Sequence, residues 1–483
     1  MILHKVVLPG ATPERFAGAY TKIRKDADLP DSFPPDVLSE AEQVAAEDFS
    51  ADRQDLTQIP FVTIDPPGST DLDQAMYLER RGSGFRVHYA IADLPFFIEP
   101  GGLVDLEARR RGQTIYLPDG RVPLHPQVIS ENAASLLAGE LRPALVWIID
   151  LDEAGHATGT DLVSAQIRSV AQLDYESVQA DADAGTLHES IDSLLEIGVL
   201  RRAQEEERGG ADLRIPDQEV SAADGGFELQ FRPRLPVEDA NAQISLLAGM
   251  CAAQIMLDGK VGLLRTLPGP DQSAVDDFFT AARSLGVPAN GSYQNLLRSL
   301  DESNPAHLAL LYRSPGLFRG AGYTAFNGSV PEENMQAAVG APYAHVTAPI
   351  RRLVDRFGLA ICHGLLSGQG APQWALEALD SLPGLMEESD RKTGLVERSV
   401  IAVTEALVLE ERVGETFDAV VVGRDVKREK NPLQIQLTSP AVLSRADGTE
   451  EPGENVKARL EDVDVSAPSL RFTVSGSAAG VDS

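Results

Sequence analysis

Cysteine, tryptophan and positive charge are all scarce in this 483-residue chain. It has two cysteines, Cys251 and Cys362, 111 positions apart and outside any Cys-x-x-Cys pair. That excludes a disulfide-stapled scaffold and a thiolate zinc site. Both lie in apolar helical patterns, so they read as small core residues, and a reducing cytoplasm fits this usage. Lysine and arginine number 42 against 73 acidic residues, a net charge of −31. Such a balance argues against a nonspecific polyanion binder. It leaves room for a local basic channel in which bound metal offsets nearby carboxylates. No apolar run approaches the length of about eighteen residues that spans a membrane. The opening MILHKVVLPGATPERF lacks the apolar core and cleavage site of a signal peptide.

What is present is a hydrophobic content of 43%, enough for a large core, in a length that suits about three domains. Residues 1–50 read as a small helical region. One helix starts at Thr12-Pro13-Glu14 and continues toward Ile23, and a second covers Asp36 to Asp48, after Pro30, Pro34 and Pro35. Strand patterns follow at Phe61–Ile64, Ala75–Leu78, Phe85–Ile91, 145–151 and 161–170. Helices then dominate: Leu187–Glu207, Val237–Leu257, Gln272–Leu285, Pro349–Leu366 and about 385–411. Strands first and helices later predict an α+β body over 51–410. Short strands between Gly, Pro and Asp over 411–475 predict a β-barrel of the OB type, with a disordered tail at 476–483.

The densest chemistry is DPPGSTDLDQA, Asp65 to Ala75. Three aspartates this close repel one another unless a cation sits among them, and hard divalent cations such as Mg²⁺ take oxygen ligands. Asp71 and Asp73 are two apart, so on a strand they share a face. No Glu follows at the offset of an EF-hand. The same residue types also build ordinary turns, so spacing alone leaves that reading open.

DPPGSTDLDQA, preceded by RQDLTQIPFVTI, resembles the RNB-type catalytic domain of the ribonuclease II and ribonuclease R family. Three further stretches are similar in order and spacing: His88 to Ser130, Gln166 to Gln179, and YAHVTAPIRRLVDRF from Tyr343 to Phe357. The resemblance covers roughly residues 50–400. It implies a 3′-to-5′ exoribonuclease that uses Mg²⁺ or Mn²⁺ and releases nucleoside 5′-monophosphates from single-stranded RNA. It also implies a monomer with no obligate protein partner. Asp65, Asp71 and Asp73 match three of the family's four loop acids; the fourth falls at Gln74, a departure that removes a charge. The family's further pocket Glu aligns with Gln243, with Asp239 one turn earlier as a substitute.

By the same resemblance, Arg351 matches the arginine that contacts the scissile phosphate, a role suited to a guanidinium fork. Arg352 is either a substrate contact or half of an ion pair. Tyr116 in TIYLPDG matches a tyrosine that positions the terminal nucleotide. Tyr175 in LDYESV matches one that stacks on a base, a contact that tolerates any sequence. His345 reads as support for the pocket. GLFRGAG (Gly316 to Gly322) lacks a phosphate-loop Lys and reads as a turn. In the barrel, Arg424, Lys427, Arg428 and Lys430 form a basic loop that would touch RNA. The first fifty residues stand where the family commonly has cold-shock barrels. Two rivals remain. One is a non-catalytic RNA-binding relative, motivated by Gln74 and Gln243. The other is a small-molecule phosphodiesterase, which would have no use for the barrel.

Overall fold

A computed structural model describes residues 6–7, 14–211, 217–223, 226–232, 234–301, 304–425 and 430–477. Its centre is a curled sheet. Phe61–Ile64, Gln74–Arg81, Gly84–Ala92 and Leu141–Leu151 pair in turn. The 17-residue strand Ala157–Leu173 then pairs with Leu141–Leu151 along its first part and with Phe61–Ile64 at its far end. The sheet therefore closes on itself. Alternation sorts its side chains: Met76 and Leu78 join the main core, while Ala75 and Tyr77 face a second cluster that includes Phe61, Leu72 and Phe97. Both faces are covered, which explains the nearly continuous apolar runs in these strands.

Helix Pro236–Gly259 passes through the main core. Its start is set by Pro236 in the first turn and by Glu238, which accepts from the Leu235 amide at 2.7 Å. It is the one described helix long and apolar enough to cross a membrane. Here Ile244, Leu247, Ala248, Ala252 and Met256 pack instead on the sheet and on helix Leu353–Leu366. Close approach needs Gly249, where a Cβ would stand 2.1 Å from the Tyr343 ring. Cys362 is buried and Cys251 partly so within this core, and neither forms a disulfide.

The chain from 416 to 477 forms a closed five-stranded barrel: Thr416–Arg424, Leu433–Leu437, Leu443–Asp447, Asn455–Asp464 and Ser469–Ser477. Its core residues Phe417, Val421, Ile435 and Phe472 are continuous with Val400 and Leu407 of the long helix Leu382–Leu409. Residues 1–50 are not purely helical. Beside helices Glu14–Asp26 and Pro35–Ala45, Val6–Val7 pairs in parallel with Asp217–Ala223, a strand in a hairpin that the sequence patterns did not reveal. The helix expected over Leu187–Glu207 begins at Leu194, after a short 3₁₀ turn. The one expected from Pro349 begins at Leu353. GLFRGAG is a turn that leads into strand Gly322–Asn327, as expected.

Candidate active site

Asp65 closes strand Phe61–Ile64, its amide held by the Leu173 carbonyl at 3.1 Å. Gly68, at φ 78°, makes the turn that sends the chain back. Thr70 to Asp73 then run extended, clamped by Ser135. Its hydroxyl donates to the Thr70 carbonyl at 2.7 Å and accepts from the Leu72 amide at 3.0 Å. Strand Gln74–Arg81 starts one residue after Asp73. Asp71 and Asp73 thus just precede the strand, one on each side of buried Leu72 in sequence, and each carboxylate meets a different arginine.

Asp73 is 4% exposed. One oxygen accepts from the Ile350 amide at 2.7 Å and the other lies 3.3 Å from Arg351 Nε. Arg351 sits on the irregular TAPIRR turn ahead of helix Leu353–Leu366, with its side chain 41% exposed. That position lets its remaining donors face solvent. Asp71 is held by Arg121 Nη1 at 2.6 Å and by the Tyr116 hydroxyl at 2.7 Å. Tyr116 and Arg121 are cross-strand partners in the hairpin Ile115–Leu117 and Gly120–Val122. Arg121 also reaches Glu131 at 2.8 Å and the Thr70 hydroxyl at 2.6 Å. Tyr116 is 42% exposed, an open ring beside the acids.

Burial pushes the Asp65 carboxyl up to about 6 and that of Asp73 to about 8, against the opposing pull of Arg351. Desolvation, rather than a lack of cationic partners, raises these acids, since Arg121 and Arg351 already pair with Asp71 and Asp73. The cluster's donors are three carboxylates and the Gln74 amide, whose nitrogen donates to the Thr347 carbonyl at 2.5 Å. Such an oxygen set suits a hard divalent cation. Among the described residues, no three acidic, histidine or cysteine groups already stand in coordinating positions. The hydrogen bonds to Asp71 and Asp73 explain why: a cation would have to compete with Arg121 and Arg351 for their oxygens.

A family profile described as RNB domain matches residues 53–367, and one described as RNase II-type exonuclease C-terminal S1 domain matches 415–475. The chain belongs to the RNB family. It is similar to ribonuclease R of Escherichia coli K12, 30% identical over 331 residues, which are 64% of this chain and 40% of that protein. It is similar to exoribonuclease 2 of Actinobacillus pleuropneumoniae serotype 7, 29% identical over 391 residues, covering 72% and 57%. The chain therefore spans 40–57% of the length of these two curated relatives. In fold it resembles Mycoplasma genitalium RNase R solved with ribose-methylated single-stranded RNA, with a TM-score of 0.85 at 20% identity, covering 96% of this chain and 78% of that one. Yeast Ssd1, described as a pseudonuclease, is similar at TM-score 0.69 and 15% identity, covering 92% and 58%.

The RNB body places the other expected residues unevenly. Tyr175 opens a helix after the Asp174 cap, and its hydroxyl accepts from Asn241 Nδ2 at 2.9 Å. Burial and the neighbouring Asp65 raise its pKa to about 12. Gln243 is not on this face. Its amide donates to Glu205 of helix Leu194–Glu207 at 2.6 Å. Asn241 and Ser245, one turn apart, point toward the site instead, and Ser245 bonds the Thr347 hydroxyl at 2.9 Å. Asp239, one turn before Gln243, is paired with Arg202 at 3.0 Å. Arg352 resolves to the ion-pair reading: both Nε and Nη2 donate to fully buried Asp355 at 2.8 Å. His345 is half-buried, with Nδ1 2.7 Å from the Tyr323 hydroxyl, and desolvation drives its pKa well down. It braces the turn that leads to Arg351.

On the barrel, Arg424 is folded back onto the Thr449 carbonyl at 3.1 Å and Glu451 at 2.9 Å. Lys427 and Arg428 lie outside the described residues; Lys430 is exposed. Arg121, Glu131, Asn241 and Ser245 escaped the sequence reading. For Arg121 a signal existed: Asp119-Gly120 marks a tight hairpin that sets Tyr116 opposite Arg121.

Proposed function

We propose that this chain is a hydrolytic exoribonuclease that removes nucleoside 5′-monophosphates from the 3′ end of single-stranded RNA with the help of a divalent cation. The observation that carries this reading is the buried Asp73 carboxylate set 3.3 Å from a partly exposed arginine, Arg351. An acid and a guanidinium so placed suit a phosphodiester, with the acid on the metal side and the fork on the phosphate oxygens. Asp65, Asp71, Asp73 and Gln74 would hold the cation. When bound, it would lower the pKa of a water and offset charge at the scissile phosphate.

The protein's own groups do the rest. Arg351 stabilises charge that develops on the phosphate oxygens. The exposed Tyr116 ring supports the terminal nucleotide, and its hydroxyl fixes Asp71. Tyr175, braced by Asn241, offers a face to a base near the 3′ end. The likeness to a ribonuclease R solved in complex with ribose-methylated single-stranded RNA supports an RNA substrate. Contacts to 2′-hydroxyls would separate RNA from DNA.

A second reading, an RNA-binding relative without activity, is favoured by two observations: Gln74 stands where the family has an acid, and a fold neighbour is described as a pseudonuclease. Digestion of a labelled single-stranded RNA and a 3′-overhang duplex, with Mg²⁺ and with chelator, decides between them. Chelator-sensitive release of mononucleotides supports the nuclease. Tight RNA binding with intact RNA under every metal condition overturns it.

A further inference from the structure

The helices of the first fifty residues are built into the segment that carries Tyr116 and Arg121. Arg24 forks onto Asp119 at the hairpin tip, with Nη2 to Oδ1 at 2.6 Å and Nη1 to Oδ2 at 2.9 Å, both side chains largely buried. Arg111, just before the hairpin, donates to the Ser32 carbonyl at 2.8 Å and to the Pro123 carbonyl at 3.0 Å, and lies 3.6 Å over the Phe33 ring. Glu40 caps helix Leu103–Arg111 across the chain by accepting from the Leu103 and Val104 amides, both at 2.9 Å. That helix has no cap of its own, because its N-cap is Gly102.

Alternation completes the arrangement. Ile115, Leu117 and Val122 point into the cluster that holds Phe16, Tyr20 and Ile23, while Tyr116 and Arg121 point out to Asp71. Helix Glu14–Asp26 is in turn pinned to the long helix by Tyr20, whose hydroxyl lies 2.8 Å from that of Thr404. We propose that these N-terminal helices brace the active-site hairpin. Arg24 is then a positioning residue, acting through Asp119 on Tyr116 and Arg121.

The consequence for catalysis rests on the exoribonuclease reading; the structural part does not. The test uses the full chain with Arg24→Ala, Asp119→Ala, the double variant and the charge swap Arg24→Asp with Asp119→Arg. Amide exchange over 115–122 and kcat and KM on single-stranded RNA are measured for each. Arg24→Ala is expected to speed exchange in the hairpin about tenfold and to lower kcat about tenfold, with KM within about twofold. The double variant should be no worse than either single one, and the swap should recover most of both effects. Arg15→Ala frees the other end of the same helix from Glu411 and the Leu407 carbonyl, and should leave kcat within about twofold.

Unchanged hairpin exchange in Arg24→Ala overturns the brace. So does an equal loss of kcat in Arg15→Ala, which would mean general loosening. If the unmodified chain hydrolyses no RNA, the exoribonuclease reading fails while the exchange measurement still decides the brace.

Discussion

Arginines in the RNB body and in the barrel live under different rules. Around the site, arginines of the body meet buried acids, unlike the open Arg80–Glu196 and Arg81–Asp150 pairs on its surface: Arg351 meets Asp73, Arg352 meets Asp355, and Arg356 reaches Asp105 at 2.7 Å with both side chains at most 1% exposed. In the barrel the pairs lie in water. Glu451 opposite Arg424 is 69% exposed, and Lys457–Asp418 and Arg471–Asp462 are similarly open. Buried pairs fix geometry at a desolvation cost, whereas open pairs are screened and contribute little. The body therefore uses charge to hold atoms in place, and the barrel uses it as a diffuse, salt-sensitive surface. Substitutions at four positions test that contrast.

The largest effect belongs to Asp73→Asn. Mononucleotide release should vanish while RNA binding persists, as seen by gel shift beside a digestion assay; full activity would remove Asp73 from the chemistry. The same variant has a pH signature. The Asp73 pKa of about 8 lies above its unfolded value, so its contribution is fully present below about 3.9 and lost as pH rises through 8. Without divalent ions, Asp73→Asn should raise Tm at pH 8 and leave it nearly unchanged at pH 4. An equal shift at both would contradict desolvation of a buried Asp73.

Next comes Asp355→Ala, which strands Arg352 and the Ala348 amide inside the body. A urea midpoint corresponding to a loss of about 3–5 kcal/mol is expected. Arg351→Ala should lower kcat about 10²–10³-fold with a smaller effect on stability, and Arg351→Lys should recover only part of it, because the fork is lost. The smallest change is Arg424→Ala on the barrel. Stability should move by less than about 1 kcal/mol, and the salt slope of RNA binding should fall by no more than about one. A barrel substitution as damaging as Asp355→Ala would erase the distinction.

Much of the site was legible because it is local. Asp65, Asp71, Asp73 and Gln74 lie within ten residues, and Arg351 lies in a motif readable by itself. What was illegible depended on rotation and on distance. Gln243 sits two positions from Asn241, about 200° around a helix, so an alignment names the helix without saying which face meets the site. Arg352 is adjacent to Arg351 in sequence, yet Asp355 turns it inward, a contact settled only once the Ala348 amide also meets Asp355. The α+β order was visible in the strand and helix periods. The start of the helix after TAPIRR was not, since apolar residues fill both the turn and the helix.

The closure of the central sheet has one further effect. Each of its strands longer than two residues has a neighbour on both sides, because Ala157–Leu173 serves both ends of the order. Among the described residues every long strand of this sheet is therefore flanked, although Phe61–Ile64 meets Gln74–Arg81 only at Val62 and Met76, and strand-by-strand growth of aggregates finds a shorter template than an open sheet would offer.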